Sequence, residues 1–185
     1  MEDMENTEPL PAHRIDPRAA GRDDIDAYRL LAGDIASGTA VVATRRYGRD
    51  VAATVTGFLD VSYDPPTMLV SLYADGRIGE AVVEAGEWAL SLLSGAHEGT
   101  ANWLASPGNP VHGLLNQVPF RRAPASGAAV IEGAIAWFDL RTTAVHQVAT
   151  HLVVAGEVVA MGGTDDAQAA NDPLLHFSRE YRHLR

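Results

Sequence analysis

The 185-residue chain contains no cysteine and no lysine. Without cysteine there is no thiolate nucleophile, no disulfide framework and no thiolate-ligated zinc or iron–sulfur cluster. Without lysine there is no Schiff-base chemistry, which excludes a pyridoxal-phosphate enzyme. No apolar run approaches the roughly 20 residues of a membrane span. The acidic opening MEDMENTEPLP has no apolar core of a secretory signal. Lack of cysteine is also compatible with a reducing compartment, so a cytoplasmic protein is expected. The dinucleotide, phosphate-loop, zinc-protease and serine-hydrolase signatures are absent as well.

What is present is an ordinary globular composition, 46% hydrophobic, with 24 acidic residues against 14 basic ones, every one of them arginine. The net charge of −10 argues against a nucleic-acid partner, which needs concentrated positive charge. Residues 1–28 carry eight acidic side chains and three arginines, so half of the negative charge sits in that stretch. Residues 1–23 read as an acidic tail and residues 24–185 as one domain. Seven histidines are present, His146 and His151 five apart, but none has a metal-ligand spacing with a neighbouring carboxylate. No metal is expected.

Ile25, Tyr28, Leu31, Ala32 and Ile35 recur at helical spacing, which predicts a helix over 24–37 stopped by Gly38. Strands are predicted over 39–44 and 51–56 around a turn at 45–50. Further strands cover 58–63, ended by Asp64-Pro65-Pro66, and 68–73. A short helix over 77–84 closes at Gly86, a strand covers 88–93, and a second short helix covers 98–105. The segment 106–120, SPGNPVHGLLNQVPF, reads as an excursion or lid-like loop. Two long strands follow, 129–148 and 150–161, before a Gly/Asp/Asn-rich turn and the closing DPLLHFSREYRHL. About seven strands with two or three scattered helices lack the alternation of a doubly wound sheet. They point to a closed or nearly closed antiparallel barrel, small enough that an obligate dimer makes physical sense.

Thr54, Thr56 and Ser62 punctuate an apolar stretch in which Gly57 permits close backbone approach. Tyr73-Ala74-Asp75-Gly76-Arg77 leads into a helix, whose unpaired N–H groups and adjacent arginine suit an anion. The competing reading is a hairpin with ordinary strand threonines and an exposed arginine.

The run VAATVTGFLDVSYDPPTMLVSL over 51–72 is similar to the signature region of the flavin reductase-like FMN-binding split-barrel family, through Thr54, Thr56, Gly57, Phe58, Ser62 and Asp64-Pro65-Pro66. GEWALSLL over 86–93 resembles that family's G-x-F-x-V-N-V-L, and ATHLVVAGEV over 149–158 its G-D-H-x-x-x-x-G-E-V. Asp172-Pro173-Leu174-Leu175-His176-Phe177 with Tyr181 resembles its closing P-L-L-Y-F and downstream tyrosine. The likeness runs in order over about 26–184 and implies a mainly β, Greek-key antiparallel split β-barrel with a few short peripheral helices.

By that resemblance FMN, with FAD possible, lies at a homodimer interface, and NADH or NADPH is the co-substrate. Thr54, Val55, Thr56 and Gly57 would face the ribityl chain and phosphate. Ser71, Leu72 and Tyr73 would pass beside the isoalloxazine, and Arg77 would meet the phosphate. His151 would sit by the reacting face, and Arg179 and Tyr181 would close the pocket or the dimer seam. The implied activity is NAD(P)H-dependent flavin reduction, with reduced flavin handed to a monooxygenase partner. Two alternatives stand beside it: a flavoprotein holding FMN tightly for a specific small molecule, and a non-catalytic flavin-binding or partner-stabilising protein. The chain departs from the pattern at Gly57, where asparagine is usual, and at Asp75, where serine is frequent. Ala149-Thr150 replaces Gly-Asp, Ser91 an asparagine, and His176 a tyrosine.

Overall fold

Residues 40–44 are apolar or small at every position, and the strand they open, β2 (Ala40–Arg46), is buried along both faces. Ala40 and Val42 face one apolar cluster while Val41 and Ala43 face another, as a two-residue side-chain period requires. The computed structural model describes residues 12–16, 18–110, 112–166 and 171–184. Most of the tail expected over 1–23 lies outside them. The helix α1 (Arg22–Ala32) starts with Asp23 and Asp24 in its first turn, and buries none of its residues. It stops earlier than expected because the next amides tighten to the third carbonyl back, Asp34 N–H to Leu31 at 3.1 Å and Ile35 N–H to Ala32 at 3.2 Å. The chain then enters a two-residue strand, β1 (Ser37–Gly38).

From β2 the chain turns through Tyr47-Gly48 into β3 (Arg49–Val55), then β4 (Phe58–Tyr63) and β5 (Pro66–Tyr73). After α2 (Arg77–Ala85) come β6 (Glu87–Leu92), a 3-10 turn and α3 (Glu98–Ala105). The remaining strands are β7 (Phe120–Arg122), β8 (Ala129–Ile131), β9 (Ala136–Val148), β10 (His151–Gly163), β11 (Leu175–Phe177) and β12 (Glu180–Arg182). The seven-stranded antiparallel sheet has the order β3-β2-β6-β9-β10-β5-β4. Just beyond β3, the Gly57 carbonyl accepts the Ser71 N–H of β5 at 2.7 Å. One edge of the sheet thus curls back near the other, the geometry of a split barrel. Small pairs add to it, β7 with β8 and β1 with β11 and β12. No helix among the described residues is long and apolar enough to cross a membrane.

The barrel interior collects alternate side chains: Val42, Val70, Leu72, Trp88, Leu90, Leu140 and Val154. Each large apolar side chain taken from water there contributes roughly 1.5–3 kcal/mol. Outside β2 and β3 a second cluster joins α3 through Ala101 and Leu104 to Leu114, Leu115 and Val118 of the 106–120 segment. That segment is therefore core material along part of its length. The single strand expected over 129–148 is two strands. The Ala134 N–H returns to the Ile131 carbonyl at 3.2 Å and Gly133 has φ +77°, so a turn separates β8, paired with β7, from β9, paired with β6.

Candidate flavin site

β5 delivers Tyr73 to a tight turn in which the Gly76 N–H donates to the Tyr73 carbonyl at 3.0 Å. Gly76 caps α2 without a side chain, so no side chain covers the unpaired amides of the first turn. Gly76, Arg77 and Ile78 line a trough of about 600 Å³ whose other walls are residues 50–53 and residues 104–110 with Leu114. Across it the Arg77 guanidinium donates to the Asn109 carbonyl at 2.9 Å. Two carboxylates share the trough. Asp50 is held by Arg122, with Nη2 to Oδ2 at 2.9 Å, and Asp75 accepts a long bond from the Tyr73 hydroxyl at 3.4 Å. The helix end and Arg77 form a positive wall, with Asp75 as the negative group nearest to them in sequence.

β3 and β5 run on from this trough to a second depression of about 490 Å³, lined by Thr56, Gly57, Ser71, His176 and the stretch after α1. A Cβ built on Gly57 would lie 3.2 Å from that of Ser71, so the absence of a side chain lets the two strands meet. Not every residue singled out from the sequence presents a side chain here. The Thr54 hydroxyl is engaged with the Ala101 carbonyl at 2.8 Å, tying β3 to α3. Val55 packs on the barrel interior, and Leu72 is 2% exposed within it. These three offer backbone, whereas Thr56, Ser71 and Tyr73 offer side chains as well.

His151 opens β10 opposite Tyr73 in register, and the two rings meet edge to face with centroids 5.8 Å apart. Its Nδ1 lies 3.0 Å from the Thr150 hydroxyl. His151 therefore borders the trough through Tyr73. Arg179 and Tyr181 stand apart from Arg77, in a third depression with Glu98 and Asn102 that meets the second at His176. Burial and the Glu98 carboxylate push the Tyr181 phenol upward, and its ring packs edge to face on His176 at 5.9 Å.

A family model described as a flavin reductase like domain matches residues 32–185. The chain belongs to this family. An FMN reductase (NADH) of Methylorubrum extorquens strain PA1 is 32% identical over 174 residues, spanning 91% of this chain and 93% of that protein. Among solved structures, the flavin reductase component of a bacterial two-component tryptophan halogenase superposes with a TM-score of 0.80 at 25% identity, over 87% of this chain and 98% of its own. The styrene monooxygenase flavin reductase of Pseudomonas putida S12 superposes with a TM-score of 0.73 at 26% identity, over 85% and 97%.

Within this flavin reductase-family barrel, part of the 106–120 segment, expected as an excursion or lid-like loop, forms the 106–110 wall, held by Arg77 and by the Asn109 amide on the Trp103 carbonyl at 2.5 Å. His176, which stands where the family pattern has tyrosine, joins two depressions. The motif order carries a signal for His176, and the Pro/Gly content of 106–110 signals a loop without giving its place.

Proposed function

We propose that the protein catalyses NADH-dependent reduction of FMN and passes reduced flavin to a monooxygenase partner. The observation that carries the reading is the arginine-flanked, side-chain-uncapped start of α2 on a trough continuous with the Thr56 and Ser71 strands. That donor set, one guanidinium, free amides and two hydroxyls, fits a phosphorylated flavin better than a neutral ligand. Held there together, the two ligands would supply the redox chemistry, a hydride from reduced nicotinamide to flavin with a proton from solvent completing the two-electron reduction.

The chain's part is alignment and exclusion of water. Arg77 and the amides of residues 77 and 78 hold the phosphate. The backbone of Thr54, Val55, Thr56, Gly57 and Leu72 and the side chains of Thr56 and Ser71 fix the flavin tail and ring edge, with Tyr73 flanking the ring. His151 donates a hydrogen bond where negative charge develops. Arg179 and Tyr181 close the far end at the seam of a homodimer. The relative in Methylorubrum extorquens is named for NADH and FMN, which supports NADH as co-substrate and FMN, with FAD possible, as the flavin. Residues 24–185 act as one unit, and the cytoplasm is the compartment.

Replacing Arg77 with alanine tests the reading. Loss of a charge-assisted bond to phosphate costs roughly 1.5–3 kcal/mol, so FMN affinity should fall by about 10- to 100-fold while riboflavin affinity moves less than about threefold. Equal losses for both ligands would contradict the phosphate role. An unaltered chain that oxidises no NADH above the free-flavin background would remove the reductase activity.

A further inference from the structure

At residues 149–150 the chain carries Ala-Thr where the family pattern has Gly-Asp, so the carboxylate expected beside His151 is missing. The side chain present there instead is Thr150, whose exposed hydroxyl lies 3.0 Å from Nδ1 of His151. The exchange alters the chemistry of the ring. A carboxylate only accepts hydrogen bonds, so it holds a proton on Nδ1 and favours the doubly protonated cation. A hydroxyl also donates, so it can satisfy an unprotonated Nδ1 and leave the imidazole neutral.

Among the described residues no carboxylate is ion-paired with the ring. Tyr73 on β5 contributes the edge of a neutral ring. Val148 is the register partner on β9. The carboxylate of Asp75 accepts from the Tyr73 hydroxyl. The other tight polar contact at the hairpin end, the Ala74 N–H on the Thr150 carbonyl at 2.9 Å, fixes the Thr150 backbone against the turn that leads into α2. The residue holding the ring is thus itself anchored to the wall of the trough.

We infer that Thr150 is a positioning residue: its hydroxyl donates to Nδ1 of His151 and holds the ring as the neutral tautomer with Nε2–H directed outward as a donor. The inference rests on the reading of His151 as the group that meets flavin or nicotinamide. It makes His151 a neutral hydrogen-bond donor in turnover, with no proton transfer assigned to it.

The full-length protein labelled with 15N-histidine, without added flavin, tests the positioning directly near pH 8. His151, assigned through a His151→Gln variant, should show protonated Nε2 and unprotonated Nδ1. Thr150→Val should scramble that tautomer, and Thr150→Ser should keep it. With FMN and NADH, Thr150→Val should lower kcat about tenfold with KM for FMN within about twofold, as expected for one lost orienting bond. Thr150→Ser should recover most of the rate. A wild-type ring protonated on Nδ1, or a Thr150→Val ring unchanged from wild type, overturns the inference. A wild-type tautomer as expected together with a His151→Gln enzyme of undiminished kcat overturns instead the reading on which it rests.

Discussion

Ala149 holds φ +51° at the tip between β9 and β10, a left-handed conformation that costs an L-residue about 1–2 kcal/mol. Ala149→Gly should relieve more strain than glycine's extra chain entropy costs. We expect a net gain of about 0.5–1 kcal/mol, read as a melting midpoint raised by about 2 °C. Tyr181 illustrates a residue whose environment acts through pH. Burial and Glu98 raise its phenol, whereas in the unfolded chain a tyrosine ionises near 10. Its contribution is therefore fully present below about pH 10 and is lost as pH rises through the higher folded value, since the unfolded state then binds fewer protons. Urea midpoints measured at about pH 9 and pH 11 should fall less for Tyr181→Phe than for wild type. Tyr47 and Tyr63, raised by Glu84 and Asp60, leave a residual slope in both proteins.

At the scale of elements, the joint between β5 and α2 decides whether the trough keeps its shape. A Cβ on Gly79 would come within 2.7 Å of the Tyr73 carbonyl. Glycine to alanine inside a helix normally stabilises by about 1 kcal/mol. Here the sign reverses, because the helix must move off the strand that carries Tyr73. Gly79→Ala should destabilise by roughly 1–3 kcal/mol and weaken FMN binding, both measurable by melting with and without the ligand. The strand–turn–helix from 66 to 85 is legible in the sequence because Pro65-Pro66 marks the start of the strand, Gly76 and Gly86 bracket the helix, and the apolar period changes between them. The break within 129–148 is not legible, since AVIEGAIAWFDL is apolar on both sides of one Glu-Gly pair. That turn is set by tertiary pairing, β8 to β7 and Ile135 N–H to the Leu92 carbonyl at 2.8 Å. The 106–110 wall is hidden for a related reason. Its prolines and glycines encode bends, while its place is fixed by Leu114 and Leu115 entering the core some residues later.

At the scale of the molecule, one barrel leaves apolar surface uncovered. Tyr28 and Leu31 of α1 are 65% and 68% exposed, and Leu59 of β4 is 51% exposed beside the depression that Thr56 and Gly57 line. Exposed apolar side chains of this kind suit the seam of the proposed homodimer. Sedimentation equilibrium should return twice the 19.7 kDa chain mass, and Leu59→Arg should return the single mass. A wild-type protein that sediments as one chain would contradict the homodimer. The acidic excess of residues 1–28 also explains how a chain of charge −10 retains a phosphate-compatible site. The charge concentrates at the N-terminal end, and the arginine of the trough has the helix end beside it.

The β9–β10 hairpin bears on how firmly that site is held. β6 accompanies β9 only as far as Arg141, and β10 stays paired with β5 as far as His151 opposite Tyr73. From Thr143 to Val148 the outer flank of β9 has no strand beside it among the described residues. At about 3.4 Å per residue that is an overhang of roughly 20 Å, braced on one flank and wet on the other. Backbone amides facing the wet flank should exchange with deuterium far sooner than those between β10 and β5. The hairpin tip that carries His151 then behaves as a cantilever, its stiffness set by the ladder it shares with β5.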